Sequence, residues 1–466
     1  MLYNKNTTIA AISTPPGVGG IAVIRISGEN AIAAVDKLVV PKSKSVHLPT
    51  QSSHSVVFGT IMKKNEVLDE VLITVFRAPG SFTGEDTVEI SCHGSVYIQQ
   101  EILKLLIEQG CELARPGEFS QRAFLNGKMD LSQAEAVADL IASISASSHR
   151  MALNQMRGYF SNELITLREK LLHFVSMIEL ELDFNEEDVE FADRNELKIL
   201  AVEIGQKIGK LADSFDLGNV LKNGIPVALV GETNVGKSTL LNLLLNEEKA
   251  IVSDIHGTTR DVIEDSVVIN GVTFRFIDTA GIRRTKNKIE NLGIERTYQK
   301  IEQASIILWL IDSTQVSEHI EWLTERIAKR AEGKKIILVF NKIDRIDGEE
   351  HLILDSLFAP FDAERIYISA KKRINTDILQ DALLKAAQLP ELQAGDIVVS
   401  NIRHYEALKK AQTAILRVIK GLENNITHDF LSQDIRECMF HLGEITGQIS
   451  TGEILGNIFS KFCIGK

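Results

Sequence analysis

Apolar and polar positions follow different periods in successive stretches of the chain. Residues 8–12, 21–26, 71–76 and 88–91 are short apolar runs set between glycine-rich turns, and this pattern predicts strands. Residues 96–108 repeat apolar side chains at helical spacing and read as one amphipathic helix. Residues 1–125 are therefore expected to form an α+β domain. From 131 to 182, Ala, Leu, Ile and Met recur three and four residues apart with no proline, which predicts long packed helices. The acidic stretch 181–188 interrupts that period as a solvated bend, and 197–215 resumes it. Between about 223 and 389, strands such as 225–230, 273–277, 336–340 and 365–368 alternate with helical segments, the pattern of a doubly wound parallel sheet. Helical period returns at 405–422 and 431–445. The expectation is a helical domain in two parts, 126–222 and 390–466, with an α/β domain at 223–389 inserted into it.

Composition narrows the class. The 466 residues leave room for about three domains. With 44% apolar and 24% charged residues, the chain has the balance of an ordinary globular protein. No apolar run approaches the roughly 20 residues that span a bilayer, and residues 1–13 lack a basic-then-apolar signal pattern, so no membrane contact and a cytoplasmic location are expected. Cys92, Cys111, Cys438 and Cys463 are scattered without the paired spacing of a zinc site or disulfide framework, which predicts reduced thiols. A net charge of −12 repels nucleic acid, so RNA contact needs a local basic face or a partner.

The chemistry starts at Gly231-Glu232-Thr233-Asn234-Val235-Gly236-Lys237-Ser238-Thr239, which joins the predicted strand 225–230 to helical periodicity at 240–245. Strand, glycine loop and helix are the setting of a phosphate loop. Gly231 and Gly236 let the backbone turn, so that the N–H groups from Asn234 to Thr239 face phosphate oxygens with the helix's positive end behind them. Lys237 would reach the outer phosphates and Ser238 would ligate Mg²⁺. A chance glycine-rich turn is the alternative, and the strand and helix on either side argue against it.

A phosphate loop names only a nucleoside triphosphate; the base is argued from other loops. In Asn341-Lys342-Ile343-Asp344, the Asp344 carboxylate can accept from guanine's ring N–H and exocyclic amine, which adenine does not offer together. Sites built on such pairing discriminate by roughly 10⁴ to 10⁵. Ser369-Ala370-Lys371 follows the strand 365–368, where a backbone N–H could meet the guanine oxygen. Asp278-Thr279-Ala280-Gly281 closes the strand 273–277 and supplies an acid near Mg²⁺ and a glycine N–H toward the γ-phosphate. Gly257-Thr258-Thr259-Arg260-Asp261 offers Thr259 as a second hydroxyl ligand to Mg²⁺. Each could be a strand-end turn; all together, in this order, they predict a GTP-binding domain. Small regulatory GTPases place a water-orienting glutamine directly after Asp-Thr-Ala-Gly, where this chain has Ile282. Another polar group must orient the water, and a cation must replace the missing arginine finger.

Read with both flanks, the chain resembles the MnmE (TrmE) family of bacterial tRNA-modification GTPases. The resemblance runs from Thr14 to Lys466 and is most specific in Pro15-Pro16-Gly17, Ser81-Phe82-Thr83-Gly84-Glu85-Asp86, Arg115-Pro116-Gly117-Glu118-Phe119, the GTPase loops and the terminal Cys463-Ile464-Gly465-Lys466. It implies a multidomain fold: an α+β N-terminal folate-binding and dimerisation domain, an all-α helical domain and an inserted α/β P-loop GTPase domain. It further implies a homodimer that works with the flavoprotein MnmG on tRNA. The pair would add an aminomethyl or carboxymethylaminomethyl group to wobble uridine, with the one-carbon unit from a tetrahydrofolate derivative.

Carried over residue by residue, the resemblance makes Asn234, Ser253, Ile255 and Thr258 ligands of K⁺. It extends the nucleotide site to Asp254, His256 and Gly257. Glu290 matches the water-orienting glutamate, which would answer the problem posed by Ile282. Arg25, Glu89, Lys128 and Lys466 match positions that hold the folate, where cations suit its anionic tail and a carboxylate suits the donor-rich pterin edge. Cys463 matches a cysteine implicated in the modification. Two readings of different classes follow: a K⁺-activated GTPase acting in tRNA uridine modification, or an Era-like switch that binds RNA in its GTP form and does no modification chemistry. The N-terminal domain and the tail discriminate, because a pure switch needs neither a folate pocket nor Cys463.

Overall fold

The computed structural model describes residues 7–64, 66–183, 194–232, 234–248, 265–278, 301–314, 333–358, 363–390, 393, 395–424, 426–450 and 452–465. The chain forms two compact units, one of Met1–Ile141, Gln155–Ile208 and Glu406–Lys466, the other of Ala142–Asn154 and Gly209–Tyr405.

The first unit is built on β1 (Ile9–Ile12), β2 (Ile21–Ser27), β3 (Val39–Pro41), β4 (Ser55–Lys63), β5 (Glu66–Phe76), β6 (Thr87–His93) and β7 (Glu112–Leu113), with helices α1 (Ala31–Asp36) and α2 (Val96–Glu108). The sheet order is β3-β4-β5-β6-β2-β1-β7. All pairs are antiparallel except β1 with β7. Alternate residues Ile24, Ile26, Ile73, Val75, Val88 and Ile90 are buried in one core with Val35 of α1 and Ile102 and Leu106 of α2, each such side chain contributing about 1.5–3 kcal/mol. β3 and β4 are not among the predicted strands. Gly59 breaks the apolar run of β4, and in the sheet it yields room to β3: a Cβ there would stand 2.8 Å from Val39 Cγ1.

After α3 (Glu118–Leu125), the predicted helical stretch resolves into α4 (Leu131–Ala142), α5 (Ala146–Met156) and α6 (Tyr159–Asp183). The breaks have local causes. Ser145 and Ser148 cap α5 reciprocally, each hydroxyl accepting the other's backbone N–H at 3.2 Å. Gly158 takes φ +84° before α6, a conformation disfavoured for any residue with a Cβ. The backbone of α6 continues helical through Asp183, so the acidic stretch starts inside the helix; residues 184–193 lie outside the described residues. Leu164, Leu171, Phe174 and Ile178 of α6 are buried, as are Ile435 and Leu442 of the helix His428–Thr446 that packs along it. The predicted helix 197–215 ends at Asp213 as α7 (Arg194–Asp213), and α8 (Phe215–Asn223) follows.

The second unit carries β8 (Ile225–Gly231), α9 (Lys237–Glu248), β9 (Asp265–Ile269), β10 (Val272–Asp278), β11 (Ile306–Asp312), β12 (Lys335–Asn341) and β13 (Glu364–Ile368). The order β13-β12-β11-β8-β10-β9 is parallel throughout except for β9 with β10. Both faces are covered: Val227, Leu229 and Phe274 pack with Leu240 and Leu244 of α9, while Ala228, Val230, Trp309 and Phe340 face Leu354 and Phe358. Two buried faces explain why these strands read as unbroken apolar runs.

Candidate functional site

β8 ends at Gly231, whose carbon must pass close to β11, since a Cβ would stand 2.6 Å from the Leu310 carbonyl oxygen. Asn234 at φ +66° and Gly236 at φ +102° then turn the backbone into α9. Lys237, first residue of α9, donates from Nζ to the carbonyls of Gly231 at 2.7 Å and Glu232 at 2.9 Å, which holds its ammonium at the mouth of the loop. Ser238 and Thr239 are exposed beside it, and Val235 is buried beneath.

The loops after β12 and β13, expected to read guanine, converge on the same loop through Asn341. This buried amide donates from Nδ2 to the Val235 carbonyl at 2.8 Å and accepts at Oδ1 from the Ala370 N–H at 3.0 Å. One side chain thus ties the phosphate loop to the loops after β12 and β13, and the Ala370 N–H, expected to meet the guanine oxygen, is engaged within the protein. Asp344 is exposed, and its Oδ1 accepts from the Ser369 hydroxyl at 2.6 Å. The Ser369 oxygen in turn accepts the Lys372 N–H at 3.2 Å. That hydroxyl bond, reinforced by nearby Arg345 and Lys372, holds the Asp344 carboxyl below its ordinary range.

Lys342 sits at φ +69° and pairs with Asp312 at the end of β11. Burial pushes the Asp312 carboxyl up, but bonds from Lys342 and Thr314 outweigh it and leave the group below its ordinary value. Asp312 and Thr314 are site-supporting residues that the sequence reading missed. The signal was present: Asp312 ends an apolar run, as Asp278 and Asn341 do.

A second cluster lies in the first unit. Arg25 of β2 and Glu89 of β6 face each other in register and bond at 2.8 Å. The guanidinium lies 5.4 Å from the Phe82 ring centre and 5.7 Å from that of Phe119. Arg25 therefore spends its charge on Glu89, where sequence reasoning had given the two separate duties. Lys128 donates from Nζ to the Pro79 carbonyl at 2.9 Å. The tail is held by its backbone at the segment that leads into Phe119 and just after β1: Gly117 N–H donates to the Cys463 carbonyl at 3.3 Å, and the Ser13 hydroxyl to that of Gly465 at 3.1 Å. Cys463 is exposed; the other three thiols are buried. Ser253, Asp254, Ile255, His256, Gly257, Thr258, Thr259, Thr279, Ala280, Gly281, Ile282, Glu290 and Lys466 lie outside the described residues, as does the side chain of Asp278.

A six-stranded sheet with a phosphate loop at the end of β8, clasped through Asn341 to the loops that end β12 and β13, is the architecture of the P-loop class, and the relatives below make its chemistry GTP hydrolysis. Family models described as the GTP-binding protein TrmE N-terminus and the MnmE helical domain match residues 8–128 and 131–463. The chain belongs to the MnmE (TrmE) family. It is 59% identical over 462 residues to the tRNA modification GTPase MnmE of Bacteroides fragilis, covering 98% of this chain and 99% of the relative. The protein of that name from Parabacteroides distasonis is 56% identical over 463 residues, covering 99% and 100%. Among solved structures, Era from Aquifex aeolicus bound to GDP·AlF4⁻ aligns at a TM-score of 0.30 and 33% identity, covering 41% of this chain and 66% of that one. No helix among the described residues is long and apolar enough to cross a membrane.

Proposed function

We propose that the chain turns over GTP to drive the modification of wobble uridine in tRNA, as a homodimer working with the flavoprotein MnmG and a tetrahydrofolate one-carbon donor. What carries this reading is the presence in one chain of a phosphate loop clasped by Asn341 and, in the other unit, of an Arg25–Glu89 pair whose ring-bearing neighbour segment, at Gly117, holds the tail.

Lys237 and the loop N–H groups bind the phosphates, and Asp344 selects guanine. Ser238, exposed at the start of α9, fits one Mg²⁺ ligand, with Thr259 as the second. Asn234, exposed in a left-handed conformation, fits a K⁺ ligand together with Ser253, Ile255 and Thr258. When bound, these cations supply the positive charge that offsets what develops on the leaving phosphate. Glu290 orients the attacking water in place of Ile282. In the first unit, Arg25, Glu89, Lys128 and Lys466 hold the folate, and Cys463 lies beside it.

GTP hydrolysis is expected to run at least tenfold faster in KCl than in NaCl, a loss of about 1.4 kcal/mol of transition-state stabilisation without K⁺. Equal rates in phosphate-release assays would remove the potassium site. Cells lacking the protein should accumulate wobble uridines without the aminomethyl-type group, read by mass spectrometry of digested tRNA. Unaltered uridines beside intact GTP turnover would return the chain to the switch reading.

A further inference from the structure

The side chain of Arg122, on α3, has no exposure to solvent, and the carboxylates on either side of it are 15% and 11% exposed. It donates to Glu85 Oε2 at 3.0 Å and to Glu118 Oε1 at 3.1 Å. It also donates to the Thr7 carbonyl at 2.7 Å and hydroxyl at 3.1 Å. Each carboxylate holds something else as well. Glu85 Oε2 accepts the Ser27 hydroxyl at 2.8 Å, and Glu118 Oε2 accepts the Arg115 N–H at 2.9 Å.

A buried ion triad is a poor way to gain stability, since apolar side chains of equal volume often do as well. Its distinctive property is geometric: a planar fork fixes the separation and angle of whatever it grips. What it grips here are two segments that each carry a ring over Arg25. Glu85 stands three residues after Phe82, in a loop also tied by Asn126 Nδ2 to the Thr83 carbonyl at 2.9 Å. Glu118 precedes Phe119 and follows Gly117, whose N–H holds the Cys463 carbonyl.

We infer that Arg122, with Glu85 and Glu118, is the positioning element of the one-carbon-donor site, setting Phe82 and Phe119 about Arg25 and seating the tail. This rests on the folate reading above. Arg122 touches no ligand in this scheme; it acts through the two loops. A lysine keeps the charge but cannot span both carboxylates and Thr7 at once.

The test titrates 5-formyltetrahydrofolate into the full-length wild type, Arg122→Lys, Glu118→Gln and Asn126→Ala by calorimetry, with melting temperature and circular dichroism as fold controls. Arg122→Lys is expected to bind about ten- to a hundredfold more weakly, the scale of the charge-assisted hydrogen bonds the lysine cannot make. Glu118→Gln and Asn126→Ala should lose less, and iodoacetamide should label Cys463 faster in the first two variants. Wild-type affinity in a folded Arg122→Lys overturns the inference. If that variant unfolds, unchanged affinity and Cys463 labelling in folded Glu118→Gln overturn it instead. No binding by the wild type defeats the folate reading itself.

Discussion

Gly236→Ala is expected to lower GTP affinity about a hundredfold and to abolish turnover at ordinary GTP concentrations. Two independent costs act at this position. The residue takes φ +102°, a backbone region costing a residue with a Cβ on the order of 1–3 kcal/mol. A Cβ built there would also stand 2.3 Å from Asn341 Nδ2. Asn341 cannot swing aside freely, because the same amide holds the Val235 carbonyl and the Ala370 N–H in a buried setting. Displacing it strands polar groups worth about 1–3 kcal/mol and loosens the phosphate loop and the base loops together. Titration with fluorescent GDP checks this. An affinity equal to wild type would show that Asn341 is not the clasp.

Asp344→Asn is expected to weaken GTP binding by about three orders of magnitude and to strengthen XTP binding, the discrimination a mispaired hydrogen-bonding site produces. The direction follows from Ser369. Its oxygen already accepts the Lys372 N–H, so its hydroxyl proton goes to Asp344 Oδ1. An asparagine would keep its carbonyl there and turn its NH₂ toward the base. Guanine offers an amine at that point and is repelled; xanthine offers a carbonyl and is accepted. Competition between GTP and XTP for fluorescent GDP reads the switch, and unchanged preference would remove Asp344 from base recognition. In the native chain the carboxyl lies below its ordinary range, so guanine recognition should persist to lower pH than a free aspartate would allow.

The elements that carry strong period or glycine punctuation were legible in the sequence. The predicted strand 225–230 and helix 240–245 fall within β8 and α9, and 336–340 and 365–368 within β12 and β13. What stayed hidden depends on register or on reach between distant residues. Arg25 meets Glu89 only because β2 and β6 pair in one particular register. Asp312 meets Lys342 because β11 and β12 end level, Asp312 opposite Asn341. Asn341 grasps a carbonyl 106 residues away, which no local pattern announces. The long helical stretch was read as continuous period, and its breaks come from a serine pair and one left-handed glycine.

The unit that holds β1 to β7 is assembled from three separated lengths of chain, with the whole nucleotide-binding sheet lying between the second and third. On a ribosome the strands emerge early, yet α6 waits for the helix His428–Thr446 and Ser13, just after β1, waits for Gly465. The GTP-binding sheet can close while its host is still incomplete. Synthesis therefore completes all six strands of the nucleotide-binding sheet before the first unit receives its third length, and a chain halted just past residue 405 would hold that whole sheet and only two of the three lengths.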